Sequence, residues 1–389
     1  MQTDGMIALS GVVLGIALAG ILVALRTEGE RYRRIYLTAI FALFGGIAAI
    51  PLVVAAAQLL YIFYMPAVLP MLLALPVCIH RYAAIRAGNS PTSFHPWRDG
   101  LLPAFALVIT LGYWSLPSSA KEAMFVEGVL PPGWLPSLLA IATVATIFVW
   151  SCASFGYLLA TTRQLRMHRE QLKAVYSNTE QYELRWIDGF LTLLIALWAV
   201  AALSLVTDNA GAGLLFPEEL TFVLTAAMLL VLMGAASSPE AQPPEIAEPL
   251  APETEKPQAD KYARSALSDD RAKQIASRIE TAMRQDTLYL DANLSLQKLS
   301  QHVRTPPNLV SQTLNETLGT TFFDFVAHWR IEAAKPLIEA GNASVLDVAL
   351  DVGFNSRSTF YKAFKREVGM TPKAFRESRS EPHQGAPSN

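Results

Sequence analysis

The chain has 389 residues, room for two or three domains, and carries a formal net charge of −2, so any attraction to nucleic acid has to be local. It is 52% hydrophobic and only 16% charged, which excludes an ordinary soluble protein throughout. Two cysteines, Cys78 and Cys152, both lie in apolar runs and read as small core residues, so neither a disulfide framework nor a cysteine metal site is expected.

The charges are uneven: residues 1–236 are mostly apolar and the remainder is polar. A helix crossing the roughly 30 Å of bilayer hydrocarbon needs about 20 apolar residues. Met6–Leu25 meets this length, and its lack of a preceding basic stretch argues against a cleaved signal peptide. Ile35–Ile79 has no charged residue over 45 positions and must fold back once, near Ala56–Gln58. Leu101–Leu116 (the shortest), Leu135–Leu159, Ile187–Val206 and Leu220–Ala236 follow, for an expected polytopic bundle of seven spans.

Alternate loops differ in basic charge. One set holds twelve Lys and Arg: Arg26, Arg31, Arg33 and Arg34, then Arg81, Arg86 and Arg98, then Arg163, Arg166, Arg169, Lys173 and Arg185. The other set holds Lys121 alone. The positive-inside rule therefore places the N-terminus outside and the C-terminus in the cytoplasm. Ionisable residues within spans usually mark ion or substrate paths, and only Asp188 and His80 come near, both at span ends. The seventh span has no lysine, which excludes a retinal Schiff base there. Pro51, Pro66, Pro70 and Pro76 either kink spans around a cavity or simply shape packing. Trp97, Trp114, Trp134 and Trp186 read as interfacial anchors.

The loop from Arg163 to Trp186 is of mixed charge. With Leu165, Leu172, Val175 and Leu184 it should extend the fifth span as an amphipathic helix and then double back. It is either a signal-carrying element or an inert solvated loop. Residues 237–268, rich in Pro and Glu, read as a linker. From Asp269 a helical stripe of Ile275, Ile279 and Met283 opens a domain over 269–380, followed by a disordered tail over 381–389.

Within that domain two helix-turn-helix units are legible. In the first, 295–319, Ser295 caps a helix with Leu296, Leu299 and Val303, and Thr305 is expected to cap a second with Leu309, Leu314 and Leu318, ended by Gly319. A joining helix, 320–341, contains Pro336, expected to bend it. In the second unit, 344–369, Ser344 caps a helix whose Val345, Leu346, Val348, Ala349 and Val352 are expected inward, and Gly353 makes the turn. The next helix puts Phe360, Phe364 and Val368 on one face and Arg357, Ser358, Tyr361, Lys362 and Lys365 on the other. Gly369 ends it, and Thr371-Pro372 starts a third helix.

The pattern Ala349, Gly353, Phe354, Ser358, Phe360, Phe364, Lys365, Gly369, Pro372, Phe375 and Arg376 resembles the second helix-turn-helix of AraC-type bacterial transcription regulators. The looser first unit and the TTFFDFVAHWRIEAAK stretch resemble the rest of that domain, so the likeness covers about Leu294 to Arg379. In the first unit Ser300 stands where the family usually has a small alanine at the helix crossing, and Arg304 where it usually has the turn glycine, which costs on the order of 1 kcal/mol where Arg304 takes φ > 0. The likeness implies an all-α, sequence-specific DNA-binding domain presenting two helices to the major groove. Between Gly353 and Arg379 seven basic residues face Glu367 and Glu377, whereas the first unit has Lys298 and Arg304 against Glu316. Phosphate attraction should come mainly from the second unit, while Asn308, Ser311, Gln312 and Asn315 of the first are placed to read base edges.

The reading is thus a membrane-embedded one-component transcription regulator with a seven-helix transmembrane half. Its expected partners are promoter DNA, the lipid bilayer, a second copy in a homodimer, and an unidentified signal ligand or partner protein, with RNA polymerase a further candidate. No cofactor and no enzymatic activity are expected. The alternatives are a transporter or channel with a regulatory tail, and a receptor whose helix-turn-helix pair binds a protein.

Overall fold

A computed structural model describes residues 2–27, 31–88, 96–180, 182–209, 219–237 and 269–380. The Pro/Glu-rich stretch 238–268 and the tail 381–389, read above as linker and disordered tail, lie outside the described residues. Every regular element described is helical; one isolated antiparallel bridge pairs Tyr176 with Ser295. The chain divides into two compact units, Met1–Arg166 with Leu184–Glu240, and Met167–Glu183 with Ala241–Asn389.

The first unit contains α1 (Gln2–Arg26), α2 (Arg31–Ala48), α3 (Ile50–Ala56), α4 (Gln58–Arg86), α5 (Pro96–Trp114), α6 (Ser118–Phe125), most of α7 (Trp134–Val175), α8 (Arg185–Asn209) and α9 (Glu219–Ser237). The fold-back expected near Ala56–Gln58 is present: Ala57 is extended (φ −168°, ψ 128°) and separates α3 from α4. Pro66, Pro70 and Pro76 all lie inside α4, which runs through them without a break.

Four helices (α1, α4, α7 and α9) are long and apolar enough to cross a membrane, or six if α2 with α3 and α5 with α6 each make one bent span. The expected count of seven is therefore not reproduced by that measure. The remaining candidate, α8, coincides with the predicted Ile187–Val206 span, but its last turns include residues whose side chains lie outside the description. The short predicted span 101–116 is α5, which meets α6 at 116°. Lys121, read above as a loop charge, is buried: its Nζ donates to Trp114 O at 3.3 Å and stands 3.9 Å from the Phe63 ring centroid. It thereby caps the carbonyl end of α5 and keeps an aromatic face.

Small residues let α1 and α2 approach closely. A Cβ on Gly20 would fall 2.3 Å from the Phe41 ring, and one on Gly45 would fall 2.9 Å from Ala17 Cβ. Around this contact Val13, Phe41, Ile79, Leu191 and Leu229 form one core. A smaller one joins Leu73, Ala106, Ile109, Tyr113 and Leu139. Outward-facing Leu107, Val108 and Leu111 of α5 and Ile141, Val144 and Phe148 of α7 are all more than half exposed.

The second unit contains α10 (Asp269–Arg284), a 3-10 turn at Leu288–Leu290, α11 (Leu296–His302), α12 (Pro307–Gln312) running into a π turn (Thr313–Thr317), α13 (Phe322–Ala340), α14 (Val345–Asp351), α15 (Arg357–Val368) and α16 (Pro372–Ser380). The long α13 serves two cores with successive turns. Phe322, Phe325 and Val326 join Ile275, Ile279, Met283, Leu299, Val310 and Leu314. Ala327, Ile331, Ala334 and Ile338 join Val348, Ala349, Phe354, Phe360, Phe364 and Phe375. Pro336 lies inside α13 without breaking it.

Candidate nucleic-acid interface

Caps and turns place the two units. Ser295, Thr321, Ser344 and Ser356 each accept from the backbone N–H three residues on, satisfying an orphan donor of the helix that follows. At Thr321 and Ser344 the hydroxyl also donates to the carboxylate of Asp324 or Asp347 (2.8 and 2.7 Å), so both helix starts are doubly tied. Thr371 Oγ1 accepts from Ala374 N at 3.2 Å, as its position before Pro372 predicts.

Thr305 behaves otherwise. Its hydroxyl donates to Val303 O at 3.1 Å, and the residue before α12 is Pro306, which provides no side-chain cap. The two prolines place Pro307, which has no N–H, at the first helical position, where a cap is least needed.

Both inter-helix turns adopt left-handed backbone, Gly353 at φ 93° and Arg304 at φ 51°. Gly353 has no alternative: an added Cβ would meet Tyr289 O at 2.7 Å and Leu290 O at 2.9 Å. Arg304 adopts the same region with a side chain attached, at the cost expected above. Ser300, at the helix crossing, is buried and its hydroxyl returns to Leu296 O at 2.7 Å, so the polar atom is satisfied.

Of the residues expected inward in α14, Val348, Ala349 and Val352 are buried and Val345 is half-buried, but Leu346 is 43% exposed. Positions 345, 348 and 349 of this seven-residue helix share one stripe with its C-cap Val352, and Leu346 falls off it.

On α15 Phe360 and Phe364 are fully buried and Val368 half-buried, while Arg357, Ser358, Lys362 and Lys365 are exposed and Tyr361 is half-buried. Arg357 lies over the Tyr361 ring (5.0 Å to the centroid) and donates to its hydroxyl at 3.1 Å. The guanidinium is thus held along the helix face with donors left over. Lys362 and Lys365 make no ion pair among the described residues.

The seven basic residues of this half are not equivalent. Arg366 pairs with Asp324 at 2.8 Å, Lys373 stands 3.7 Å from Glu377, and Arg379 stands 3.5 Å from Glu339. Arg376 donates to Ile338 O and Ala343 O, closing the carbonyl end of α13. Only Arg357, Lys362 and Lys365 project from the outer face of α15.

On the first unit Asn308 and Asn315 are exposed and Ser311 and Gln312 half-buried, on α12 and the π turn. Gln312 Nε2 donates to Glu316 Oε2 at 2.8 Å, and Asn315 Nδ2 approaches Ser311 Oγ at 3.5 Å. This face is nearly neutral and self-bonded, so it can offer hydrogen bonds but little phosphate attraction.

One residue of this unit escaped the sequence reading. Arg330 on α13 is fully buried between the two cores, with its guanidinium 5.5 Å from the Phe354 ring centroid. Its Nε donates to Tyr289 O (2.8 Å) and its Nη2 to Asp291 O (2.9 Å) and Ser177 Oγ (3.1 Å). Burial pushes its pKa down to about 10, still well above neutrality, so the charge is kept. The signal was present in the pattern: Val326, Arg330 and Ala334 are spaced four apart, which places a cation on a core stripe and obliges the fold to supply acceptors.

Residues 299–378 match the model of a family described as a helix-turn-helix domain. The chain is 34% identical over 115 residues to an uncharacterized HTH-type transcriptional regulator of Staphylococcus aureus (strain COL), covering 30% of this chain and 14% of that protein. It is 29% identical over 97 residues to the melibiose operon regulatory protein of Escherichia coli (strain K12), covering 25% of this chain and 32% of that protein. A solved structure of the C-terminal domain of AraT, a response regulator from Geobacillus stearothermophilus, aligns with 29% of this chain and 92% of its own, at 19% identity and a TM-score of 0.25. The chain therefore spans a small part of the curated relatives it matches, and the likeness lies in one region. The C-terminal part of the chain carries an AraC-type helix-turn-helix domain.

Proposed function

We propose that this protein is a one-component transcription regulator embedded in a bacterial inner membrane, N-terminus outside, which binds promoter DNA through its cytoplasmic helix-turn-helix pair. The observation that carries the reading is the outer face of α15. Arg357, Lys362 and Lys365 are presented there without a structural task that would consume them, beside a second helix-turn-helix built on the same α13. The membrane part rests on the apolar helices, on the exposed apolar rows of α5 and α7, and on the twelve-to-one loop bias.

The weak charge of the first unit favours action as a dimer joined through the membrane half. Two tethered domains raise each other's effective concentration to about millimolar, which multiplies affinity for paired sites. Whatever the signal, it reaches the domain from the periplasm or the bilayer. Mapping the DNA bound by the protein in cells tests the reading: discrete promoter sites are expected, with binding that weakens steeply as salt rises. No enrichment above background would overturn it.

A further inference from the structure

The loop joining α7 to α8 is part of the second compact unit, and its residues Tyr176–Thr179 are buried. It folds back on the end of α7: His168 Nε2 lies 3.2 Å from Tyr182 O, Arg169 Nε donates to Glu183 O at 3.0 Å, and the Tyr176 and Tyr182 rings stand 5.0 Å apart. The extended tip of this hairpin lies in the seam between the two helix-turn-helix units. Ser177 donates to Leu294 O through both its N–H (3.2 Å) and its hydroxyl (2.7 Å), just before the first unit's capping residue Ser295. Asn178 spans the seam itself, since its Nδ2 donates to Ala292 O beside the first unit and, at 3.1 Å, to Gly353 O at the turn of the second.

Beneath it lies Arg330. A guanidinium has five N–H donors, and fully buried ones need acceptors. Tyr289 O and Asp291 O take two. The others face Ser177 Oγ (3.1 Å), Asn178 Oδ1 (3.3 Å) and Ser177 O (3.4 Å), all on the hairpin tip. The domain's own core therefore contains a cation whose solvation is completed by a segment more than 150 residues earlier in the chain. A cleft of about 390 Å³, lined by Tyr176, Asn178, Lys298, Gln301 and Asn355 among others, flanks the tip.

We infer that the seam between the two helix-turn-helix units is a docking site for this chain's own 176–179 hairpin tip, which works as a staple holding the two recognition elements in one relative placement. The docked tip leaves Asn308, Asn315, Arg357 and Lys362 exposed, so the stapled state is the DNA-competent one. Because the tip follows α7 directly and α8 begins a few residues after it, a shift of either helix end pulls on the staple through the chain itself. Withdrawal strands the Arg330 donors and removes the Asn178 bridge between the two units, leaving α13 to join them. The role in DNA binding rests on the function proposed above; the docking does not.

The test uses the full chain in lipid nanodiscs. Asn178→Ala should speed amide hydrogen exchange in segments 288–296 and 350–356 together by about fivefold or more, with the central turns of α13 remaining protected. Ser177→Ala, a milder change, should move the same segments in the same direction by less. Affinity for the promoter fragment recovered with the wild-type protein from cells should fall by about tenfold in Asn178→Ala. With one half of that fragment's site scrambled, wild type and Asn178→Ala should bind alike. Unchanged exchange in both variants would overturn the staple. Faster exchange with unaltered affinity for the intact fragment would overturn its role in DNA binding, as would equal losses on intact and scrambled fragments. Failure of the wild-type protein to recover any fragment sinks the regulator reading and leaves the exchange result to decide the docking.

Discussion

Arg330 and Gly353 approach so closely that a Cβ built on Gly353 would stand 3.0 Å from the Arg330 Nε and closer still to two backbone carbonyls. The contact joins the middle of α13 to the turn of the second helix-turn-helix. The turn thus needs a glycine for two reasons, its φ of 93° and the absence of space.

Gly353→Ala should therefore destabilise the C-terminal unit by at least about 2 kcal/mol, combining left-handed strain with overpacking. Limited proteolysis of the full chain at rising temperature would show that unit cleaved at lower temperature than in the wild type. An unchanged cleavage profile would mean that the turn can move away from α13.

The other left-handed turn makes the opposite prediction. Arg304→Gly removes the strain at φ 51° while adding freedom to the unfolded chain, for a net gain of about 0.5–1 kcal/mol. The same proteolysis assay would register it as a higher cleavage temperature. A loss of stability would show that contacts of the Arg304 side chain outweigh its backbone cost.

Arg357 and Lys362 separate two kinds of DNA contact. Arg357, at the first position of α15, has a fork suited to guanine O6 and N7, and its change to Ala should cost about 1–3 kcal/mol and relax preference at one base pair. Lys362→Ala should weaken all sequences alike and lower the salt slope by about one. Phe360→Ala is the control: loss of a fully buried ring should cost about 3–5 kcal/mol and remove binding through unfolding. Titration of the recovered promoter fragment and of scrambled DNA at several salt concentrations distinguishes the three. Full affinity and preference in a folded Arg357→Ala protein would mean that the second unit docks by another face.

Topology can be read with a reporter active only in the cytoplasm. Fusions after Arg166 or Ser238 should be active, and fusions after Lys121 or Ala210 silent. The sharp 116° bend between α5 and α6 makes the Lys121 fusion the decisive one. Activity there would show that this pair enters and leaves by the same side.

The sequence by itself determined the local features. Caps at Ser295, Ser344 and Thr371, the glycine turn at 353, the break at Ala57 and the aromatic face of α15 follow from side-chain and backbone chemistry within a few residues. The apolar lengths and the loop charges are equally local, and they carry the membrane reading. Tertiary structure decided what depends on distant partners. It is the reason that Arg366 and Arg376 are tied to α13 rather than offered outward, that Lys121 is buried, and that Leu346 is not. It also seats the 176–179 tip against Arg330. Neither half names its partner alone: one is a polar tetrapeptide in a loop, the other an arginine on a core stripe that demands acceptors without saying where they come from. Hydrogen-bond acceptors for a buried cation can come from anywhere in the chain, so the pairing exists only once the fold has brought them together.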